Sequence, residues 1–209
     1  MEQKIVRIHT ARSSKREDMP AADAWVEVSV TDGIGIHLVG MRDAETRESL
    51  LRVVMALRAC GYSLPGKKIV INVKGGYTAK NSCLFDLPIA VGILIASEQI
   101  SVQSVNIDER LFVGQLGLDG SIVSTGKTVH GVIKIVSRLT GIGTDDVRIV
   151  NALQEDIATL VKVYPFGTLR EVVSYLEGHK FEGSDYLVYG REAGVCAFVN
   201  ATTFINSML

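Results

Sequence analysis

Cysteine is scarce in this sequence. Cys60, Cys83 and Cys196 are the only three, they are scattered, and no C-x-x-C pair occurs. That argues against a disulfide framework and against a cysteine-based zinc site, and it suits reduced thiols in a cytoplasmic protein. Histidine is equally thin. His9, His37, His130 and His179 are isolated, with no H-x-x-x-H or H-E-x-x-H pattern, so neither a metal site nor a cofactor is expected. An excess of charge of one sign is lacking too: 22 Lys and Arg stand against 23 Asp and Glu, a net charge of -1. Any attraction to nucleic acid must then come from a local patch. Long apolar runs are also missing. The longest, "LPIAVGILIA" (87–96), is about half the length that spans a bilayer and is expected to be a buried helix. "MEQKIVRIHTARSSKRED" at the N-terminus holds no apolar block of the signal-peptide kind, so a cytoplasmic protein without a membrane partner is expected.

What is present is an ordinary globular composition, 47% hydrophobic and 22% charged over 209 residues, enough for a core without staples. "KIVRIH" (4–9) reads as a strand. "WVEVSV" (25–30) alternates at strand period, "TDGIG" is turn chemistry, and "IHLVGM" reads as a returning strand. "DAETRESLLRVVMALRACG" reads as a helix, with Leu50, Leu51, Val54 and Leu57 at helical spacing and Gly61 as its stop. "KKIVINV" (67–73) is a β-branched strand, followed by a glycine-rich basic loop, "KGGYTAKNSC". The apolar helix from Leu87 to about Glu98 comes next, with Asp86 placed as its N-cap and Pro88 in its first turn. "RLFVGQLGL" and "SIVST" are strands around an Asp119-Gly120 hairpin turn. "TVHGVIKIVSRLTG" and "TLREVVSYLEG" read as helices. "DYLVYG" and "VCAFVNATTF", after Phe181, are short strand candidates. The expected organisation is one α+β domain, residues 1–180, with a C-terminal extension over 181–209.

One tripeptide invites a nucleotide-binding reading. Gly126-Lys127-Thr128 matches the end of the phosphate-binding motif G-x-x-x-x-G-K-[ST]. The motif needs four residues between its glycines so that backbone N–H groups wrap a phosphate. Gly120 and Gly126 are separated by five, Ser121 stands where the first glycine belongs, and Ile122 and Val123 favour an extended chain. A hairpin at Asp119-Gly120 would also hold the two glycines apart.

Several strings resemble one family: "VEVSVTDGIGIHLVGMRDAETRESLLRVVMAL", "GYSLPGKKIVINV", "FDLPIAVGILIASEQ" and "LFVGQLGLDGSI". They are similar to the N-terminal domain of magnesium-chelatase-subunit-I-related proteins of the ComM or YifB group, over about residues 4–180. The resemblance implies a Lon-protease-like (ribosomal protein S5 domain 2-like) fold with a mixed sheet and packed helices. It also implies a setting in DNA processing, where this domain precedes an AAA+ ATPase domain that the chain is not expected to contain. In the loop before the apolar helix the family commonly reads "KEGGRYDLPIA"; Lys80 and Asp86 to Ala90 match it, while Ser82, Cys83 and Leu84 replace Gly-Gly-Arg. Leu50 and Val54 stand where the family usually has arginines, and Arg52 remains.

Lon-type peptidases use a serine nucleophile with a lysine base. The resemblance places them at Ile89 and near Val129, where neither residue type occurs. The expected function is therefore a non-catalytic assembly or regulatory module of the magnesium-chelatase-related, DNA-processing type. Two alternatives stay open: a nucleotide-binding protein using Gly126-Lys127-Thr128, and a cryptic Ser/Lys hydrolase. Expected partners are an AAA+ ATPase in trans, further copies of the chain, and single-stranded DNA. Lys68, Lys74 and Lys80, around the glycine-rich loop, are the candidate contacts for a nucleic acid or other anion.

Overall fold

The structure is a computed structural model. It describes residues 4–12, 22–41, 43–74, 85–103, 106–123, 160–164, 166–179, 188–190 and 196–198. Lys80, Ser82, Cys83, the Gly126-Lys127-Thr128 segment, Val129 and His130 lie outside the described residues.

Ten strands, three α-helices and one short 3-10 helix (Ile107–Glu109) are described. In chain order the strands and α-helices are β1 (Ile5–Arg12), β2 (Ala22–Thr31), β3 (Gly35–Val39), α1 (Asp43–Ala59), β4 (Lys68–Lys74), α2 (Asp86–Ala96), β5 (Leu111–Phe112), β6 (Gln115–Leu116), β7 (Ile122–Val123), β8 (Leu160–Tyr164), α3 (Leu169–Leu176), β9 (Val188–Gly190) and β10 (Cys196–Phe198). Eight strands form one mixed sheet in the order β3-β4-β2-β1-β5-β10-β8-β9, and β6 and β7 form a separate pair. The architecture is α+β. Two strands of the sheet come from the stretch after residue 181, and β10 lies between β5 and β8, parallel to both.

Strand alternation decides which face is covered. Val6 and Ile8 of β1, Val26 and Val28 of β2, and Ile69, Ile71 and Val73 of β4 are buried on one face. Arg7, Glu27, Asn72 and Lys74 alternate with them on the other. Helix α2 packs on the apolar face, against β1 and β2. It is apolar almost all round and buried from Asp86 to Leu94, as expected of a helix passing through a core. Gly92 sets how closely it approaches: a Cβ there would come within 2.6 Å of Val28 Cγ2.

β3 does not return alongside β2. It pairs with β4 in parallel, and β4 pairs with β2 antiparallel, so β4 lies between them. Thr31 and Gly35 both face Lys68, from opposite sides. Residues 32–34 therefore cross the start of β4, and Gly33, at φ +119°, passes close to the Lys68 stem. The turn chemistry at Asp32-Gly33 marks this crossing, where a two-strand hairpin had been expected. α1 then carries the chain from β3 back to its parallel neighbour β4. Its buried residues are Ser49, Val53, Ala56 and Leu57, while Leu51 is 61% exposed. Gly61 ends it at φ +90°: its N–H bonds to Arg58 O, and the Tyr62 N–H to Leu57 O, the two bonds of a left-handed helix stop.

The hairpin at Asp119-Gly120 is present. Leu116 pairs with Ile122, and the Asp119 carboxylate accepts from the Ser121 backbone N–H and hydroxyl. α3 begins beside it with Thr168 and Glu171 in reciprocal capping. Leu169 N–H bonds to Gly120 O, and Ile122 N–H to Gly167 O.

Candidate functional site

Asp86 opens α2, at the "DLPIA" string that carries the resemblance. It is not the N-cap. The cap position belongs to Phe85, in a helical conformation with no side-chain capping bond, and Asp86 is the first helical residue. Its fully buried carboxylate points to neighbours distant in sequence. Oδ1 accepts from the Ser49 hydroxyl at 2.6 Å and from Arg52 Nη2 at 3.2 Å. Oδ2 accepts from Arg52 Nε at 2.5 Å and from the Leu116 N–H at 3.3 Å. A local cap would have used the helix's own N–H groups; this carboxylate instead ties α1, α2 and the β6–β7 hairpin together.

The parts arrive by simple geometry. Ser49 and Arg52 are three residues apart on α1 and so share a helix face. Leu87 N–H bonds to Gly114 O at 3.0 Å, which docks the first turn of α2 on the segment leading to β6. The arginine meets the carboxylate with two nitrogens, the strong form of the pair. Glu48 Oε2, one helical turn before Arg52, is 3.9 Å from Arg52 Nη1. Burial pushes the Asp86 carboxyl above its usual range, and the Arg52 and Ser49 hydrogen bonds pull the other way. Asp86 also sits at the positive end of the helix dipole. All this describes a structural carboxylate: every atom of it accepts, and none faces solvent.

The candidate anion contacts are arranged differently. Lys74 Nζ donates to Glu27 Oε1 at 2.6 Å. Glu27 is 14% exposed at its side chain and also accepts from Arg7 Nε at 3.3 Å and from Asn72 Nδ2 at 3.1 Å. The Lys74 hydrogen bond, supported by Asn72 and Arg7, holds the Glu27 carboxyl below its usual range against the opposing effect of partial burial. The charge of Lys74 is thus already engaged. Lys68 lies on the same sheet face but at the other end of β4, about 20 Å away at strand rise, and its stem is half-buried beside Gly33. The two lysines do not converge on one anion. The sequence reading missed Ser49 and Glu27. Arg52 had been noted, but nothing local signals its pairing with a residue 34 positions away.

Ile89, where the resemblance places a nucleophile, is fully buried among the core residues. Among the described residues, no group of three or more His, Cys, Asp or Glu is arranged to hold a metal ion, and no helix is long and apolar enough to cross a membrane.

Residues 26–150, more than half of the chain, match the family model described as subunit ChlI of Mg-chelatase. The chain belongs to this family. Asp86, Arg52, Ser49 and the β6–β7 hairpin all lie inside the matched ChlI region. The chain is 33% identical over 159 residues to the competence protein ComM of Haemophilus influenzae, covering 74% of this chain and 30% of that one. It is 31% identical over 155 residues to protein YifB of Salmonella typhimurium, covering 73% and 29%. With YifB of Escherichia coli it shares 38% over 98 residues, covering 46% and 19%. The ChlI-family chain thus spans under a third of the length of these relatives.

Proposed function

We propose that this chain is a non-catalytic, Lon-protease-like assembly module of the Mg-chelatase-related family, acting in DNA processing beside an AAA+ ATPase. The observation that carries the reading is the state of the family's own motif. At "DLPIA" the ionisable side chain, Asp86, is consumed by Ser49, Arg52 and the Leu116 N–H, and its neighbour Ile89 is buried and has no nucleophilic atom. A site built this way joins elements and offers no group to a substrate. The likeness to ComM supports the DNA-processing setting. The crossing of β4 between β2 and β3, with helices on one face, is compatible with the Lon-like fold.

The test has two arms. Purified protein incubated with casein is expected to release no peptides, and titration with Mg-ATP to give no binding heat. Turnover abolished by Ser82→Ala, or micromolar ATP affinity abolished by Lys127→Ala, would reject the non-catalytic reading. For the assembly role, the hydrolysis rate of a ChlI-family ATPase is measured with and without the purified chain. A changed rate is expected; an unchanged rate with no co-elution rejects the partnership.

A further inference from the structure

The edge of the sheet at β3 carries the next inference. Among the described residues β3 has one neighbour, β4, on one side only. Edge strands are usually protected by proline, by charged side chains, by a bulge or by a covering segment, because their free N–H and C=O groups template pairing. "GIHLV" has no proline and no charged Asp, Glu, Lys or Arg. Ile34 just before it is 87% exposed and Val39 at its end is 53% exposed. On the helix-side face Ile36 and Leu38 are only half-buried at the margin of the core.

The side chains are also self-complementary about the central residue. In an antiparallel pairing of two such strands centred on His37, Ile36 faces Leu38 of the second copy, and Leu38 faces its Ile36. Gly35 faces Val39, and Ile34 faces Gly40. Each bulky exposed residue at the ends then meets a glycine, and each half-buried apolar residue meets another. Gly40 adopts φ +88° and has the Val73 carbonyl where a Cβ would be, so that small position is fixed by the fold. A one-residue slip would place apolar residues opposite the wrong face. We propose that β3 is a homodimerisation edge: two copies pair β3 to β3 antiparallel about a two-fold axis at His37, joining their sheets. This goes beyond the module reading, since it needs neither a partner ATPase nor DNA.

The two-fold axis supplies the test, because it places residue 37 opposite itself. Sedimentation of the isolated chain over a concentration series should show a weak dimer, with a dissociation constant of about 10–100 μM for so small an interface. His37→Lys and His37→Glu, at an exposed position, should each weaken it about tenfold or more, since like charges would then oppose each other. An equimolar mixture of the two variants should restore the dimer through a Lys–Glu pair, a result that also shows both variants to be folded. A wild type that stays monomeric at the highest concentration, variants that dimerise like wild type, or a mixture that remains monomeric would each overturn the proposal. None of these outcomes bears on the casein, ATP or ATPase measurements.

Discussion

Replacing Asp86 by alanine tests the central junction directly. The carboxylate has no solvent exposure and accepts four hydrogen bonds from three donors' groups: the Ser49 hydroxyl, two Arg52 nitrogens and the Leu116 N–H. Arg52 is only 18% exposed at its side chain, so its guanidinium cannot simply turn to water. Breaking one partner of a buried pair costs about 3–5 kcal/mol when the other charge loses its main counter-ion, and the Glu48 carboxylate 3.9 Å from Arg52 Nη1 offsets part of that loss. The stranded hydroxyl and N–H belong within that figure, since such losses overlap. At about 2–4 °C per kcal/mol for a chain of this size, Asp86→Ala should lower Tm by roughly 6–20 °C. Arg52→Met keeps the apolar stem and strands the carboxylate instead. That group, already pushed upward by burial, can escape by taking a proton, so the variant should lose less stability at pH 5 than at pH 7. The double variant should cost less than the sum of the singles by about 0.5–3 kcal/mol, the coupling expected of groups in one network. Thermal melts of all four proteins at both pH values are the assay. A Tm within about 2 °C of wild type for Asp86→Ala, or strict additivity in the double variant, would refute the reasoning that this carboxylate is a keystone.

Three further outcomes follow from the geometry. Because the folded pKa of Asp86 is raised above its unfolded value by burial, its contribution is present below the ordinary carboxyl range and is lost as pH rises through the folded pKa. The Tm of wild type minus that of Asp86→Asn should therefore fall as pH rises out of the ordinary carboxyl range; a difference that grows with pH contradicts this direction. Gly92→Ala forces a methyl to 2.6 Å from Val28 Cγ2 in a closed core. Overpacking of about 1–3 kcal/mol should outweigh the helix gain of about 1 kcal/mol, and Val28→Ala alongside should recover stability in urea melts; a stabilised single variant would show the sheet to be more yielding. Gly120→Ala meets both the Cys60 Sγ and a φ of +86°. Adding Cys60→Ala should relieve only the contact, leaving about 1–2 kcal/mol of backbone strain, and full rescue in the same assay would contradict the turn geometry.

What the sequence disclosed were local and periodic features. Alternation in "WVEVSV" and "KKIVINV", the all-apolar helix at Leu87, the stop at Gly61 and the turn at Asp119-Gly120 each arise from the residues on the spot, and each is present. The family was legible for the same reason: its motifs are contiguous strings. What stayed hidden depended on distance. The neighbour of β3 is decided by β4, which arrives some thirty residues later in the chain with the better β-branched face, and no turn residue encodes that. The role of Asp86 was misread because an aspartate before an apolar helix is an ordinary cap signal, and only the packing of α1 brings Ser49 and Arg52 to it. Lys74 looked like a free cation in a basic loop until β2 placed Glu27 in reach.

The crossing of residues 32–34 over the start of β4 also constrains the order of assembly. β2 and β3 are joined by three residues yet share no ladder, so until β4 slots between them the sheet has a strand-wide gap that neither can close. The short link keeps its two banks at the right separation and waits for a strand that must first be carried across by α1. Because β3 shares no ladder with β2, its protection against hydrogen exchange is expected to appear together with that of β4, which exchange measurements on the two strands would check.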